Sequence, residues 1–141
     1  MSMFFDTNVI AYAILDDDAA KQRAAAFLIA KAIDKGAFRI SAQVLKELAN
    51  TLIRKTDKSP ESIMSAIMRL APYVAVCDTP QLVIRALELR SRFSLQFYDA
   101  LIIAGAEASG CNVVLSEDMT DGARYGGVLV RNPFTSSLSF A

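Results

Sequence analysis

Short apolar runs punctuate this chain at 3–5, 38–41, 73–77, 112–115 and 128–130, and several of them are continuous rather than alternating. Continuous apolar runs are the pattern of strands buried on both faces. The stretches between them follow the helical period instead. The spacing predicts helices over about 7–15, from the Asp16–Asp18 run to Gly36, over 42–55, from Ser59-Pro60 onward, over 80–92 and over 98–109. In the second helix Ala20, Ala24, Phe27 and Leu28 read as the apolar face, and the three aspartates as first-turn partners of the helix dipole. Ser59 reads as a cap with Pro60 at the first helical position, and Gly110 as the stop of the last helix. Strands that alternate with helices in this way indicate α/β: three layers, with a central parallel sheet of four to five strands flanked by helices. The length of 141 residues fits a single domain spanning 1–141.

Composition narrows the chemistry. The chain has no histidine, which removes Ser-His-Asp and Cys-His triads, imidazole bases and His-ligated zinc. Its two cysteines, Cys77 and Cys111, are far apart and read as buried free thiols, in keeping with a reducing cytoplasm. Nothing reads as a signal peptide, and the apolar stretch at 101–106 is stopped by Glu107, so no membrane span is expected. Lys+Arg and Asp+Glu are 15 each, so a nucleic-acid partner would need a local basic patch. Reactions here must run on carboxylates, lysines, tyrosines or hydroxyls.

The carboxylates are not scattered. In a parallel sheet, functional groups gather outside the carboxyl ends of the strands. Asp6 directly follows the first strand, and Ser116-Glu117-Asp118 directly follows the fourth. Asp99 starts the helix that leads back into the fourth strand, and Glu47 lies early in the helix after the second. Asp6-Thr7-Asn8 on its own reads as a helix cap, and Glu47 on its own as part of a solvated stripe with Gln43, Asn50 and Arg54. Asp99 is harder to read as ordinary, because its helix is otherwise almost wholly apolar and a charge entering it needs a partner or a metal. Hard carboxylates around one cleft suit Mg²⁺ or Mn²⁺. Without histidine, a bound metal is the natural means of making a nucleophile from water near neutral pH.

FFDTNV at 4–9, the helical Glu47, YDALIIA at 98–104 and VVLSEDM at 113–119 together resemble a PIN domain, particularly the VapC-type toxin ribonucleases of bacterial toxin–antitoxin systems. The ending VRNPF is similar to one subgroup. The resemblance implies that the first and fourth strands are neighbours, which puts Asp6 beside Asp118. By position, the family's acidic quartet falls on Asp6, Glu47, Asp99 and Asp118, as catalytic and metal-holding residues, with Thr7, Asn8 and Ser116 in support. Glu117 and Asp121 adjoin Asp118 and stay open as contributors, although the Ser-x-Asp spacing favours Asp118. The implied activity is metal-dependent RNA hydrolysis, with Mg²⁺ or Mn²⁺, commonly by a cytoplasmic homodimer that a small antitoxin protein silences.

Among the dispersed basic residues, Arg54, Arg90 and Arg124 are candidates for holding an RNA backbone. Tyr98 reads as core, with base stacking as the alternative. Two other functions compete. One is a metal-dependent phosphohydrolase of small phosphoesters, although the first strand is followed by Asp6-Thr7-Asn8 rather than a D-x-D pattern. The other is a non-catalytic interaction module with an acidic pocket. No GxxxxGK[ST] loop is present, which argues against an NTPase.

Overall fold

In the computed structural model, which describes residues 1–135, strands and helices alternate in the expected order. They are β1 (Met3–Phe5), α1 (Thr7–Ile14), α2 (Ala19–Asp34), β2 (Phe38–Ser41), α3 (Ala42–Lys55), α4 (Pro60–Leu70), β3 (Val74–Val76), α5 (Pro80–Phe93), α6 (Phe97–Ala108), β4 (Val113–Leu115), β5 (Arg124–Tyr125) and β6 (Val128–Arg131). The end of the expected 1–141 unit, residues 136–141, lies outside the described part.

The strands form one sheet in the order β3-β2-β1-β4-β6-β5. All pairings are parallel except β5 with β6. β1 thus lies between β2, to which the chain crosses first, and β4, to which it returns after β3. The strand order reverses at the β1–β4 pair, where Phe4 stands opposite Val114 and Phe5 opposite Leu115.

Packing explains why β1 can be so short and so apolar. Met3, Phe4 and Phe5 are all fully buried. Phe5 meets Phe38 of β2 with ring centroids 4.7 Å apart, and Phe38 meets Tyr73 edge-on at 5.1 Å. Phe4 points to the other face, against α6. A Cβ added at Gly105 would stand 3.2 Å from Phe4 Cζ, so α6 approaches the sheet as closely as it does because residue 105 has no side chain. Each of these buried phenyl rings contributes roughly 1.5–3 kcal/mol relative to exposure. The two-sided burial predicted from the apolar runs holds for β1 and most of β4, whereas β3, at the edge of the sheet, has no fully buried residue and exposes Ala75.

Several local expectations are corrected. The aspartate run does not enter the first turn of α2: Asp18 is its N-cap, accepting from the Lys21 N–H at 3.0 Å, and Asp16 and Asp17 precede it. The buried face of α2 is Ala25, Leu28 and Ala32, whereas Ala20, Ala24 and Phe27 are exposed. The pattern misled because α2 is alanine-rich and two faces of it read as apolar. Tyr73 belongs to a 3₁₀ turn over Ala71–Tyr73 rather than to β3, and Cys77, expected to be buried, lies exposed beyond the end of that strand. β5 was not expected: two residues carry no period, and the reversal into β6 depends on Gly126 at φ 62°.

Candidate active site

Asp6 is the first residue after β1, and its backbone N–H donates to the Leu115 carbonyl at the end of β4, at 3.0 Å. This bond fixes the start of α1 against the neighbouring strand. Its side chain, only 5 % exposed, divides its two oxygens between a local and a distant task. Oδ1 accepts from the Thr7 N–H at 2.8 Å and caps α1. Oδ2 accepts from the Ser116 hydroxyl at 2.8 Å and from Asn8 Nδ2 at 3.2 Å. Cap and site are therefore not alternatives at residue 6.

Ser116 is fully buried beyond β4 and acts as a hub. While its hydroxyl donates to Asp6, its oxygen accepts from the backbone N–H groups of Asp118 at 3.2 Å and Met119 at 3.4 Å. Asn8 completes the link across the switch point. Its Nδ2 donates to Asp118 Oδ2 at 3.1 Å, and its Oδ1 accepts from the Glu117 N–H at 3.0 Å. A residue read from the sequence as support thus ties Asp6 to Asp118 directly.

Glu47 enters from α3. The sequence alone favoured a solvated face, but Glu47 is half-buried and faces the cleft. Thr7 Oγ1 donates to its Oε2 at 3.0 Å, and Gln43 Nε2 donates to its Oε1 from one turn earlier. Gln43 is buried and its amide nitrogen also reaches the Tyr98 carbonyl at 3.4 Å. It was visible only as a member of a polar stripe; its burial is what shows its part in the site. Asp99 arrives on the first turn of α6, on the opposite wall.

The four carboxylates line one open cleft of about 1000 Å³. Burial raises the Asp6 carboxyl to about 6, and the negative charges of Glu47 and Asp99 add to the rise, against hydrogen bonds from Ser116 and Thr7. Asp99 is raised as well, first by burial and then by the charges of Asp118 and Glu47. Acids from four separate elements therefore repel one another across the same space. Among the described residues, no three of them close into a preassembled ligand cluster. The donor set consists of carboxylate, amide and hydroxyl oxygens, with no imidazole or thiolate among these residues. That set fits a hard divalent cation that keeps part of its water shell.

The remaining expectations divide. Glu117 is engaged elsewhere, by Lys21 and Tyr12. Asp121 accepts from the Asn132 N–H at 2.9 Å and faces Arg131. Arg54, Arg90 and Arg124 are exposed and do not line the cleft; Lys46 and Lys55 do. Periodicity could not separate these basic residues, because all of them occupy solvated positions. Tyr98 is not core: it is 58 % exposed on the cleft wall.

The architecture and its acid-lined switch point define the class, a three-layer α/β domain of PIN type. The chain belongs to the PIN domain family, whose profile matches residues 3–120. No curated protein matches the chain by sequence. Among solved structures it is similar to VapC20 of Mycobacterium tuberculosis, described as a sarcin–ricin loop cleaving toxin. The identity is 26%, over 83% of this chain and 90% of that one, with a TM-score of 0.65. It is also similar to FitAcB of Neisseria gonorrhoeae, with 18% identity over 95% of this chain and 99% of that one and a TM-score of 0.67. A third is VapBC2 of Rickettsia felis bound to a promoter DNA fragment, with 19% identity over 94% and 98% and a TM-score of 0.64.

Proposed function

We propose that the protein is a divalent-metal-dependent endoribonuclease and the toxin of a toxin–antitoxin pair. The observation that carries this reading is the convergence of Asp6, Glu47, Asp99 and Asp118 on one cleft at the β1–β4 switch point. Asp6, Asp99, Asp118 and Glu47 are the residues that would hold Mg²⁺ or Mn²⁺. When bound, such a cation supplies positive charge that acidifies water and offsets the charge of the phosphodiester. The chain's own residues orient the acids: Ser116 and Asn8 hold Asp6 and Asp118, and Thr7 and Gln43 hold Glu47. Lys46 and Lys55 on the cleft wall meet the RNA backbone. The exposed Tyr98 ring offers a face for a base.

The toxin role is supported by the neighbours described as a toxin and as a toxin–antitoxin complex. A small antitoxin protein is the partner that this role requires. Homodimerisation is part of the same reading, with the exposed Val83, Ile84 and Leu87 of α5 as an apolar face for self-association. So is a cytoplasmic location; among the described residues no helix is long and apolar enough to cross a membrane.

The test is cleavage of RNA by purified protein with Mn²⁺, with Mg²⁺ and with excess EDTA. Cleavage is expected only with metal, and Asp118→Asn is expected to lower the rate at least about 100-fold, the scale of losing transition-state charge stabilisation. Undiminished cleavage in EDTA rejects the mechanism. Faster turnover of a small phosphomonoester than of RNA rejects the substrate class.

A further inference from the structure

The carboxylate that precedes Asp118 has an unusual set of partners for a residue on the rim of an acidic cleft. Glu117 Oε1 accepts from the Tyr12 hydroxyl at 2.7 Å, and Oε2 from Lys21 Nζ at 2.6 Å. Lys21 is itself held from both sides, with its Nζ 4.8 Å from the centroid of the Tyr12 ring and 5.4 Å from that of Phe134. Phe134 packs edge-on against Tyr12 with centroids 5.2 Å apart. The ending VRNPF is fastened to the same loop. The Phe134 N–H donates to Asn132 Oδ1 at 2.9 Å, and the Asn132 N–H donates to Asp121 Oδ1 at 2.9 Å.

This arrangement leads inward. Gripping the Glu117 side chain fixes its backbone, whose N–H donates to Asn8 Oδ1 at 3.0 Å. That bond sets the rotation of the Asn8 amide, and with it the opposite edge, where Nδ2 reaches Asp6 Oδ2 at 3.2 Å and Asp118 Oδ2 at 3.1 Å. A path of hydrogen bonds thus runs from Lys21, on the first turn of α2, to both carboxylates of the switch point. None of its steps requires Lys21 to touch a cation or RNA.

We propose that Lys21 is a positioning residue: with Tyr12 it clamps Glu117, and so holds the loop after β4 with Asn8 aiming Asp6 and Asp118 into the cleft. The inference rests on the metal reading above for its consequence, but not for the clamp itself. Outer partners of metal-holding side chains typically change affinity by about 10–100-fold when removed.

Electrostatics alone predicts the opposite sign. Removing a cation from beside an acidic cleft makes it more negative, so Mn²⁺ should bind more tightly in Lys21→Met. The clamp predicts weaker binding, by about 10-fold. The double variant Lys21→Met/Glu117→Gln has the net charge of the wild type, so charge alone predicts wild-type affinity, whereas the clamp predicts binding as weak as in Lys21→Met. Lys21→Arg keeps the ion pair and should bind Mn²⁺ nearly as the wild type does. Two measurements decide it: Mn²⁺ affinity by electron paramagnetic resonance without RNA, and hydrogen exchange of the Glu117 amide in the metal-free protein. In Lys21→Met that amide should exchange at least about 10-fold faster than in the wild type, beyond any change in the sheet-core amides that report global stability. Unchanged Glu117 exchange, Mn²⁺ binding as tight as the wild type in Lys21→Met, or wild-type affinity in the double variant overturns the proposal. If the wild type binds no Mn²⁺, the metal reading falls, and the exchange measurement alone decides whether Lys21 positions the loop.

Discussion

Asp6 and Asp18 both cap helices, and only Asp6 lines the acidic cleft. Asp6 caps α1 and Asp18 caps α2, each through a side-chain oxygen that accepts a backbone N–H of the first turn. Asp18 is half-exposed, and its cap bond reaches Lys21, three residues on. Asp6 is buried, and its second oxygen is bonded to Ser116, 110 residues away in sequence. Local sequence makes a cap; the sheet order makes a site. What separates the two is that β1 has β4 beside it, so the residue after β1 meets the residues after β4, whereas Asp18 sits between two helices on one side of the chain's path.

The largest difference is expected in the charge each position tolerates. Because the native Asp6 carboxyl is raised to about 6 from 3.8, the folded protein holds a proton that the unfolded chain has lost between those two values. Stability therefore falls as pH rises through that window, and the Asp6 contribution is fully lost above about pH 6. The raised value corresponds to about 3 kcal/mol for a group this deeply buried. In EDTA, urea unfolding of the wild type should show higher stability at pH 5 than at pH 7.5, and Asp6→Asn should remove much of that slope. A wild-type curve flat between pH 5 and 7.5 breaks the comparison, because Asp6 would then be as indifferent to its surroundings as a surface cap.

A smaller effect is expected at Asp99, which is half-buried and partly screened by solvent. Replacing it with Asn removes a charge that Asp118 and Glu47 oppose. In EDTA the melting temperature of Asp99→Asn should rise by roughly 2–4 °C, the shift that about 1 kcal/mol produces in a domain near this size. Millimolar Mg²⁺ should shrink or invert that difference, because the wild type gains binding energy that the variant largely lacks. Differential scanning fluorimetry under both conditions checks it. A difference that Mg²⁺ leaves unchanged removes Asp99 from the metal-holding set.

The contrast between the caps also marks what was legible in the sequence. Element order was readable because the apolar runs of β1 and β4 are buried on both faces, and Val114 and Leu115 pair directly with Phe4 and Phe5. The meeting of Asp6 with Asp118 was not readable from periodicity; it came from the resemblance of the ordered motifs to a family, since sheet order is a non-local property. Glu47 failed as a local reading because a narrow polar stripe looks the same whether it faces water or a cleft, and only the buried Gln43 beside it distinguishes the two. The clamp on Glu117 was invisible because it is non-local: Glu117 lies 105 residues from Tyr12 and 96 from Lys21.

The smallest expected effect is that of Asp18→Asn, which serves as the control for the whole comparison. Asn caps a helix about as well as Asp, whereas Ala leaves the first-turn N–H groups without that acceptor. Asp18→Asn should therefore change stability by less than about 0.5 kcal/mol, and Asp18→Ala should cost about 1 kcal/mol, or roughly 3 °C in melting temperature. Neither variant should respond to Mg²⁺ differently from the wild type, because the Asp18 cap bond to Lys21 N is made within its own turn. Lys21 complicates this in one useful way. Its backbone takes the Asp18 cap while its ammonium grips Glu117, so a frayed α2 start would loosen the clamp as well. Equal Glu117 amide exchange in Asp18→Ala and the wild type would show that the ammonium holds Glu117 whether or not the first turn is capped. Faster exchange in Asp18→Ala, with Asp18→Asn unaffected, would mean that even the ordinary cap reaches the acidic cleft, through the residue three positions on.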